Sequence, residues 1–412
     1  MPTYLPRLVD PLIRELLADH PAILVVGPRA CGKTTTGRRH SAGRLRLDHP
    51  AEAAVVRADP DAALADGPFP LLIDEWQLAP DVLGAVKRAV DVDAAPGSFV
   101  LTGSSQADLT AIGWPATGRL IRVLMYSLVE REIEHRSSQP PLLDLLVSDG
   151  FAAASMPEDV PDIRGYVNRA LRGGFPEAAL AGSERARRRW LSSYIDQLVS
   201  RDVSLVGAVR SPMRLRRYLQ AIAANTAGTP TTKTLLDATG IDRSTANAYD
   251  ALLERLLITE QIPAWSANQL HRLVRLPKRH LVDPAFVGPL LGVDARAALR
   301  NADLLGRILD SFVVAQLRAE CVVSELSPRL FHARDANGRR EVDVLIEFAD
   351  GRVIGIEVKA ESAPGPEAAR HLRWLRAGVG SRFRLGIVLH TGPRPFRLDE
   401  SIIALPICAL WG

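Results

Sequence analysis

A chain of 412 residues, 47% hydrophobic and 24% charged, is long enough for several buried cores at about 100–200 residues per domain, and too apolar for extended disorder. No apolar run approaches the roughly 20 residues of a membrane helix, and prolines and charges interrupt Met1 to Leu17 where a signal peptide is apolar, so no membrane association and a cytoplasmic location are expected. A net charge of +4 permits nucleic-acid binding without demanding it, and the scattered Cys31, Cys321 and Cys408 form neither a disulfide framework nor a metal-ligand pattern.

The basic residues are skewed. Lysine occurs at Lys33, Lys87, Lys233, Lys278 and Lys359, and arginine supplies the other 46 of 51. Where composition leans so far toward arginine, a retained lysine can mark a place that needs a compact ammonium instead of a planar fork.

In chain order, Ala22 to Val26 is a short apolar run that reads as a buried strand, and Gly27-Pro-Arg-Ala-Cys-Gly-Lys-Thr34 follows it. That octapeptide matches the phosphate-binding pattern G-x-x-x-x-G-K-[ST] at every fixed position, in the required setting of strand, loop and helix. Its glycines let amide N–H groups wrap phosphates at a helix N-terminus, Lys33 reaches the β- and γ-oxygens, and Thr34 ligates Mg²⁺. Gly27, Pro28, Arg29, Ala30, Cys31, Gly32, Lys33, Thr34 and the adjoining Thr35 are the expected ATP-binding set. Cys31 is read as a tolerated small residue in preference to a redox switch.

Pro70-Leu-Leu-Ile-Asp-Glu-Trp76 ends a second apolar strand in two carboxylates, as is needed when a metal and an attacking water must lie beside the γ-phosphate. Asp74 is the expected metal-side acid, and Glu75 the residue that orients or activates water. A third strand, Ser98 to Ser105, delivers Thr102, Ser104 and Ser105 to the same edge, as γ-phosphate sensors or as helix N-caps. Arg119, after Gly118, is either a stabiliser of the transferring phosphoryl, in cis or from a neighbouring subunit, or a surface arginine.

Pro140 to Pro161 is rich in proline, serine and small residues and is expected to be a boundary or long loop. A helix from Arg185 to Asp202 and a basic cluster of Arg210, Arg214, Arg216 and Arg217 follow. Thr232 to Thr239, a turn at Gly240, a helix from about Asp242 to Leu257 and the extended Ile258 to Ile262 spell a helix-turn-helix with a strand where a wing would stand. Arg214, Arg217, Arg243 and Asn247, with Ser244 and Thr245, are candidates for DNA contact; a packing role for the module is the alternative.

Near the C-terminus, Arg340 to Phe348 and Arg352 to Lys359 are β-branched runs joined by Ala349-Asp350-Gly351. A three-residue loop with Gly351 left-handed pairs Phe348 with Arg352 and sets Asp343 opposite Glu357 and Glu341 opposite Lys359, all on one face. A two-residue Asp350-Gly351 turn would put the acids on opposite faces and bury Glu357 and Lys359 beside Val342 and Val344, so the first register is favoured. In it Asp343 and Glu357 are expected to hold Mg²⁺, with Lys359 beside them, as in the D…E-x-K site of restriction-like nucleases.

The order of these motifs, from the phosphate loop through LLIDEWQ, FVLTGSS and TGR, resembles AAA-type ATPases of bacteria whose C-terminal domain has no assigned function. Arg172-Gly-Gly-Phe-Pro-Glu177, Ser200-Arg-Asp202, Leu276-Pro-Lys278, His280-Leu-Val-Asp-Pro284, Glu341-Val-Asp343 and Glu357-Val-Lys359 extend the resemblance over nearly the whole chain. It implies an α/β protein: an AAA-type parallel-sheet ATPase core over 1–135, a helical connector over 136–210, a winged-helix-like domain over 211–295 and an α/β restriction-endonuclease-like domain over 296–412. It also implies a homo-oligomer, a ring among the options, because AAA-type sites are usually completed across subunits. The chain departs from the pattern at Asp310, where glutamate is common. Two functions are expected to compete: an ATP-driven enzyme acting on DNA as motor or gated nuclease, and a nucleotide-controlled switch or assembly protein with an inert nuclease-like scaffold.

Overall fold

A computed structural model describes residues 4–65, 67–92, 94–104, 118–153, 155–201, 211–267, 272, 275–335 and 337–412. Ser105, Thr117, Asp202 and Arg210, and the side chain of Ser104, lie outside the described residues. The chain divides into two compact units, Met1–Leu128 with Arg255–Leu257, and Val129–Glu254 with Ile258–Gly412. The segments expected as connector, winged helix and C-terminal domain share the second.

The first unit is built on a parallel five-stranded sheet, in the order β2-β3-β4-β1-β5. Its strands are β1 (Ala22–Gly27), β2 (Gly43–Arg46), β3 (Leu71–Asp74), β4 (Phe99–Ser104) and β5 (Ile121–Leu124). Every residue of β1 and β3 is buried, as expected of central strands covered on both faces, which therefore read as unbroken apolar runs. Helices Pro50–Ala58 and Val82–Val92 supply Val56, Val82, Leu83 and Val86 to the core beside Leu24, Ile73, Trp76 and Leu101. Because all five strands run the same way, the ends of β1, β3 and β4 meet at one edge, where the phosphate loop, Asp74 and Thr102 lie.

In the second unit, helix Glu184–Arg201 agrees with the sequence reading, as do helices Thr232–Thr239 and Arg243–Arg255, joined at Gly240 with φ 66°. Strand β6 (Thr259–Ile262) pairs antiparallel with β7 (Lys278–Leu281). The expected loop over 140–161 instead contains helix Leu142–Ser148, which buries Leu142, Leu143, Leu146 and Val147. There an apolar stripe prevailed over proline- and serine-rich composition.

The C-terminal part is a mixed six-stranded sheet, in the order β12-β13-β11-β10-β9-β8. Its strands are β8 (Arg329–Arg334), β9 (Glu341–Glu347), β10 (Val353–Val358), β11 (Phe383–His390), β12 (Phe396–Asp399) and β13 (Ile402–Pro406). Helix Ala302–Val323 precedes it, and helix Arg370–Val379 packs Leu372, Leu375 and Val379 into a core with Val342, Leu345 and Val388. β9 and β10 form the favoured hairpin: Val353 pairs with Glu347 and Ile356 with Val344, the Phe348 amide donates to the Arg352 carbonyl at 3.0 Å, and Gly351 is left-handed at φ 84°.

Candidate active site

The phosphate loop starts where β1 ends. Ala30 and Gly32 both take left-handed backbone (φ 59° and 103°), the conformation that turns successive amides inward into an anion-binding nest. Gly32 sits at the N-terminus of helix Lys33–Arg39, where no side chain caps the first amides, so those donors stay available to an anion. The buried Lys33 ammonium donates to the Gly27 carbonyl at 3.1 Å and the Pro28 carbonyl at 2.7 Å.

Asp74, 2% exposed at the end of β3, is the hub of the site. Its Oδ1 accepts from the Thr34 hydroxyl at 2.8 Å and the Thr102 hydroxyl at 2.6 Å, and its Oδ2 accepts from Arg44 Nη2 at 2.9 Å. Thr102 thus spends its hydroxyl on the acid beside the loop and not on a helix cap. Glu75 adopts φ 57°, a strained conformation for a residue with a Cβ, at a cost of order 1–3 kcal/mol. Its carboxylate accepts from the side-chain amide of Gln77. The donor set fits a nucleotide with its metal: an uncapped helix terminus and an ammonium for the phosphates, and a hydroxyl and a carboxylate sharing one hydrogen bond for Mg²⁺.

Arg119 requires correction as a residue acting in cis. It precedes β5, whose Ile121 pairs with Ile23 at the start of β1, so it stands at the edge of the sheet opposite the phosphate loop, roughly 20 Å away at about 3.3 Å per strand residue. There its guanidinium is paired with Asp91 at 2.8 Å. Conversely, sequence reasoning missed Arg44, Gln77 and Arg7. Arg7 is 4% exposed and donates to the carbonyls of Cys31 at 2.9 Å and Tyr126 at 2.8 Å, bracing the loop from behind. Nothing local distinguishes these arginines from the many others in the chain.

In the second unit, Asp343 and Glu357 do share a face beside Lys359, together with Asp310, the acid that the resemblance sets on the helix before this sheet, and with two groups not anticipated there, Lys278 and His371. Lys278 is 2% exposed, and its ammonium donates to Glu341 Oε1 at 2.8 Å and Asp343 Oδ1 at 3.0 Å. Asp343 Oδ2 accepts from the Val358 amide at 3.0 Å, and Lys359 donates to Glu357 Oε2 at 2.7 Å. Burial alone would raise the Asp343 carboxyl, but Lys278, Lys359 and the Val358 amide hold it below its ordinary value. Burial and the charge of Asp343 push the half-buried Asp310 well up. Contact with the Glu357 carboxylate raises His371, whose Nδ1 lies 3.5 Å from Glu357 Oε1. Among the described residues, no three or more His, Cys, Asp or Glu side chains are grouped to hold a metal.

Of the candidates for DNA contact, Arg214, Arg217, Arg243 and Asn247 are exposed. Thr245 is buried, and its amide and hydroxyl donate to Asp242 at 2.9 and 2.7 Å, so Asp242 caps the helix and Thr245 faces that cap instead of a ligand. Among the described residues, no helix is long and apolar enough to cross a membrane.

Comparison with known proteins agrees with the first unit's geometry. Residues 19–134 match the family described as an AAA domain, and this part of the chain carries a P-loop ATPase core. Residues 163–297 and 305–410 match two domains of unknown function, DUF8612 and DUF4143. Two proteins named as uncharacterised, from Mycobacterium bovis and Mycobacterium tuberculosis, are each 28% identical over 400 residues, covering 96% of this chain and 82% of theirs. A Walker-type ATPase of Pyrococcus abyssi aligns at 16% identity and a TM-score of 0.42, over 68% of this chain and 94% of that one.

Proposed function

We propose that this chain is a Mg²⁺-dependent ATPase whose turnover drives an action on DNA. The observation that carries the ATPase reading is the meeting of Thr34, Thr102 and Asp74 at the mouth of the phosphate loop. Lys33 and the loop amides would bind the β- and γ-phosphates, and Thr34 and Asp74 would hold a Mg²⁺ ion, which would supply charge neutralisation at the phosphate oxygens. Glu75 orients the attacking water, released from Gln77 when nucleotide arrives. Arg7 and Arg44 position the loop and the acid. Lys33→Ala tests the reading: nucleotide binding or turnover should vanish while the chain stays folded, and unchanged turnover would refute it.

The DNA part rests on exposed Arg214, Arg217, Arg243 and Asn247 about a helix pair and a two-stranded ladder, an arrangement suited to a winged helix. The register that brings Asp343, Glu357 and Lys359 together supports a nuclease-like origin for the last domain. Binding to duplex or branched DNA should fall steeply with salt, as phosphate contact requires, and DNA should raise ATP turnover. A homo-oligomer remains part of the proposal, since Arg119 can reach a phosphate only on a neighbouring copy; mixing Lys33→Ala and Arg119→Ala chains should then restore turnover that neither has alone.

One observation favours the second reading, a nucleotide-controlled switch or assembly protein with an inert scaffold: Lys278 is lodged between Glu341 and Asp343. In that case DNA leaves ATP turnover unchanged.

A further inference from the structure

The carboxylates on the β9–β10 face do not fit a divalent ion as they stand. Mg²⁺ takes six oxygens at about 2.0–2.1 Å in near-octahedral order. Here Asp343 Oδ1 and Oδ2 are engaged by Lys278 and the Val358 amide, and Glu357 Oε2 by Lys359. Glu357 Oε1 accepts no hydrogen bond, but it faces His371 Nδ1 at 3.5 Å.

We propose that the Lys278 ammonium is the resident cation of this cluster, standing in the place a catalytic metal would occupy and leaving the C-terminal domain metal-free. Three observations carry the inference. First, an ammonium has three donors, and Lys278 directs its Nζ at Glu341 Oε1, Asp343 Oδ1 and the Asp343 main-chain oxygen, at 2.8, 3.0 and 3.5 Å. Second, Lys278 does not come from the sheet that carries the acids. It lies at the start of β7, the partner of β6, so the cation is delivered by the element preceding the domain and is withdrawn only if β7 moves. Third, the residue is one of five lysines beside 46 arginines. Its ammonium is a compact point charge with three rotatable donors, all three of which find oxygens here.

A buried charge cluster that lacks its counter-ion is strongly destabilising. The carboxylates therefore require cations, and Lys278, with Lys359 on Glu357, supplies them without a metal. The face that would cut DNA becomes the joint that fastens β7 to the C-terminal sheet. This inference is independent of the ATPase reading, and its test avoids the phosphate loop.

The full-length chain carrying Lys33→Ala, free of nucleotide, is titrated with Mn²⁺ and followed by the electron-paramagnetic-resonance signal of the free ion. The expected result is no saturable site. Adding Lys278→Met should lower the melting temperature, create a saturable Mn²⁺ site and let Mn²⁺ restore the lost stability; adding Asp343→Asn should remove that site. If Lys278→Met does not fold, the Lys278→Met/Asp343→Asn chain, in which one charge of each sign is gone, should fold better than Lys278→Met. A saturable site in the Lys278-containing chain that Asp343→Asn abolishes would overturn the inference. So would Mn²⁺-dependent DNA cleavage lost in Asp343→Asn, or a Lys278→Met chain as stable as its parent and indifferent to Mn²⁺.

Discussion

In the first unit Lys33 is held by the carbonyls of Gly27 and Pro28, which carry no net charge, beside helix amides with no side-chain cap. In the second, Lys278 is held by the carboxylates of Glu341 and Asp343. Both ammoniums are at least nine-tenths buried, yet among the described residues one donates to neutral carbonyls and the other to carboxylates. Burying an uncompensated charge is costly, and the phosphate loop sustains that cost because an anionic ligand relieves it. In the carboxylate cluster Lys278 already has two carboxylate partners, so its charge needs no ligand. By contrast, Lys87 and Lys233 make solvent-screened pairs with Asp91 and Asp237 four residues on, of the kind that adds little to stability.

The sharpest break between the two sites is expected from removing each lysine in turn. Lys33→Ala should abolish nucleotide binding or turnover with little change in melting temperature, whereas Lys278→Met should chiefly cost stability. Calorimetry beside an ATPase assay checks this, and a large stability loss in Lys33→Ala would erase the distinction. Next in size is Glu75→Gln, which keeps the shape and loses the base. ATP should still bind while hydrolysis slows by about 10²–10⁴-fold, read in a single-turnover experiment; persisting turnover, lost instead in Asp74→Asn, would make Glu75 a surface acid.

Acid should damage the second unit through His332. Burial first, and then the nearby charge of Lys278, lower its pKa to about 4 from 6.5. Above pH 6.5 the imidazole is neutral folded or unfolded. Between 6.5 and about 4 the unfolded chain takes up a proton that the folded chain refuses, so stability falls with pH across that window, by on the order of 3 kcal/mol. Urea titrations at neutral pH and near the lower limit should show a loss that is smaller in His332→Asn; an equal loss in both would assign it elsewhere. The smallest effect is expected for Arg44→Ala. Arg44 competes with Mg²⁺ for Asp74, and a half-exposed pair is worth about 0.2–1 kcal/mol, so the Mg²⁺ concentration that half-saturates nucleotide binding should fall by up to roughly fivefold. A rise instead would mean that Arg44 helps to hold the metal or the phosphates.

The sequence by itself determined the phosphate loop and the β9–β10 register, whose causes lie within a few residues of one another. The phosphate loop needs glycines and a lysine at fixed spacing between a buried strand and a helix, and Lys33, Thr34 and Asp74 stand as that pattern requires. The β9–β10 register followed from one loop with Gly351 at φ 84° and from the cost of burying Glu357 and Lys359 on the wrong face. The tertiary structure alone decided the charge partners that are distant in sequence. Arg44 meets Asp74 across 30 residues of chain and Lys278 meets Asp343 across 65, and no periodicity or turn chemistry acts over such separations. It also set Arg119 at the edge away from the phosphates, because a parallel strand must begin at the edge opposite the one where it ends. Local rules fix which way a side chain points along its own element, but which opposite charge it meets depends on how distant elements pack.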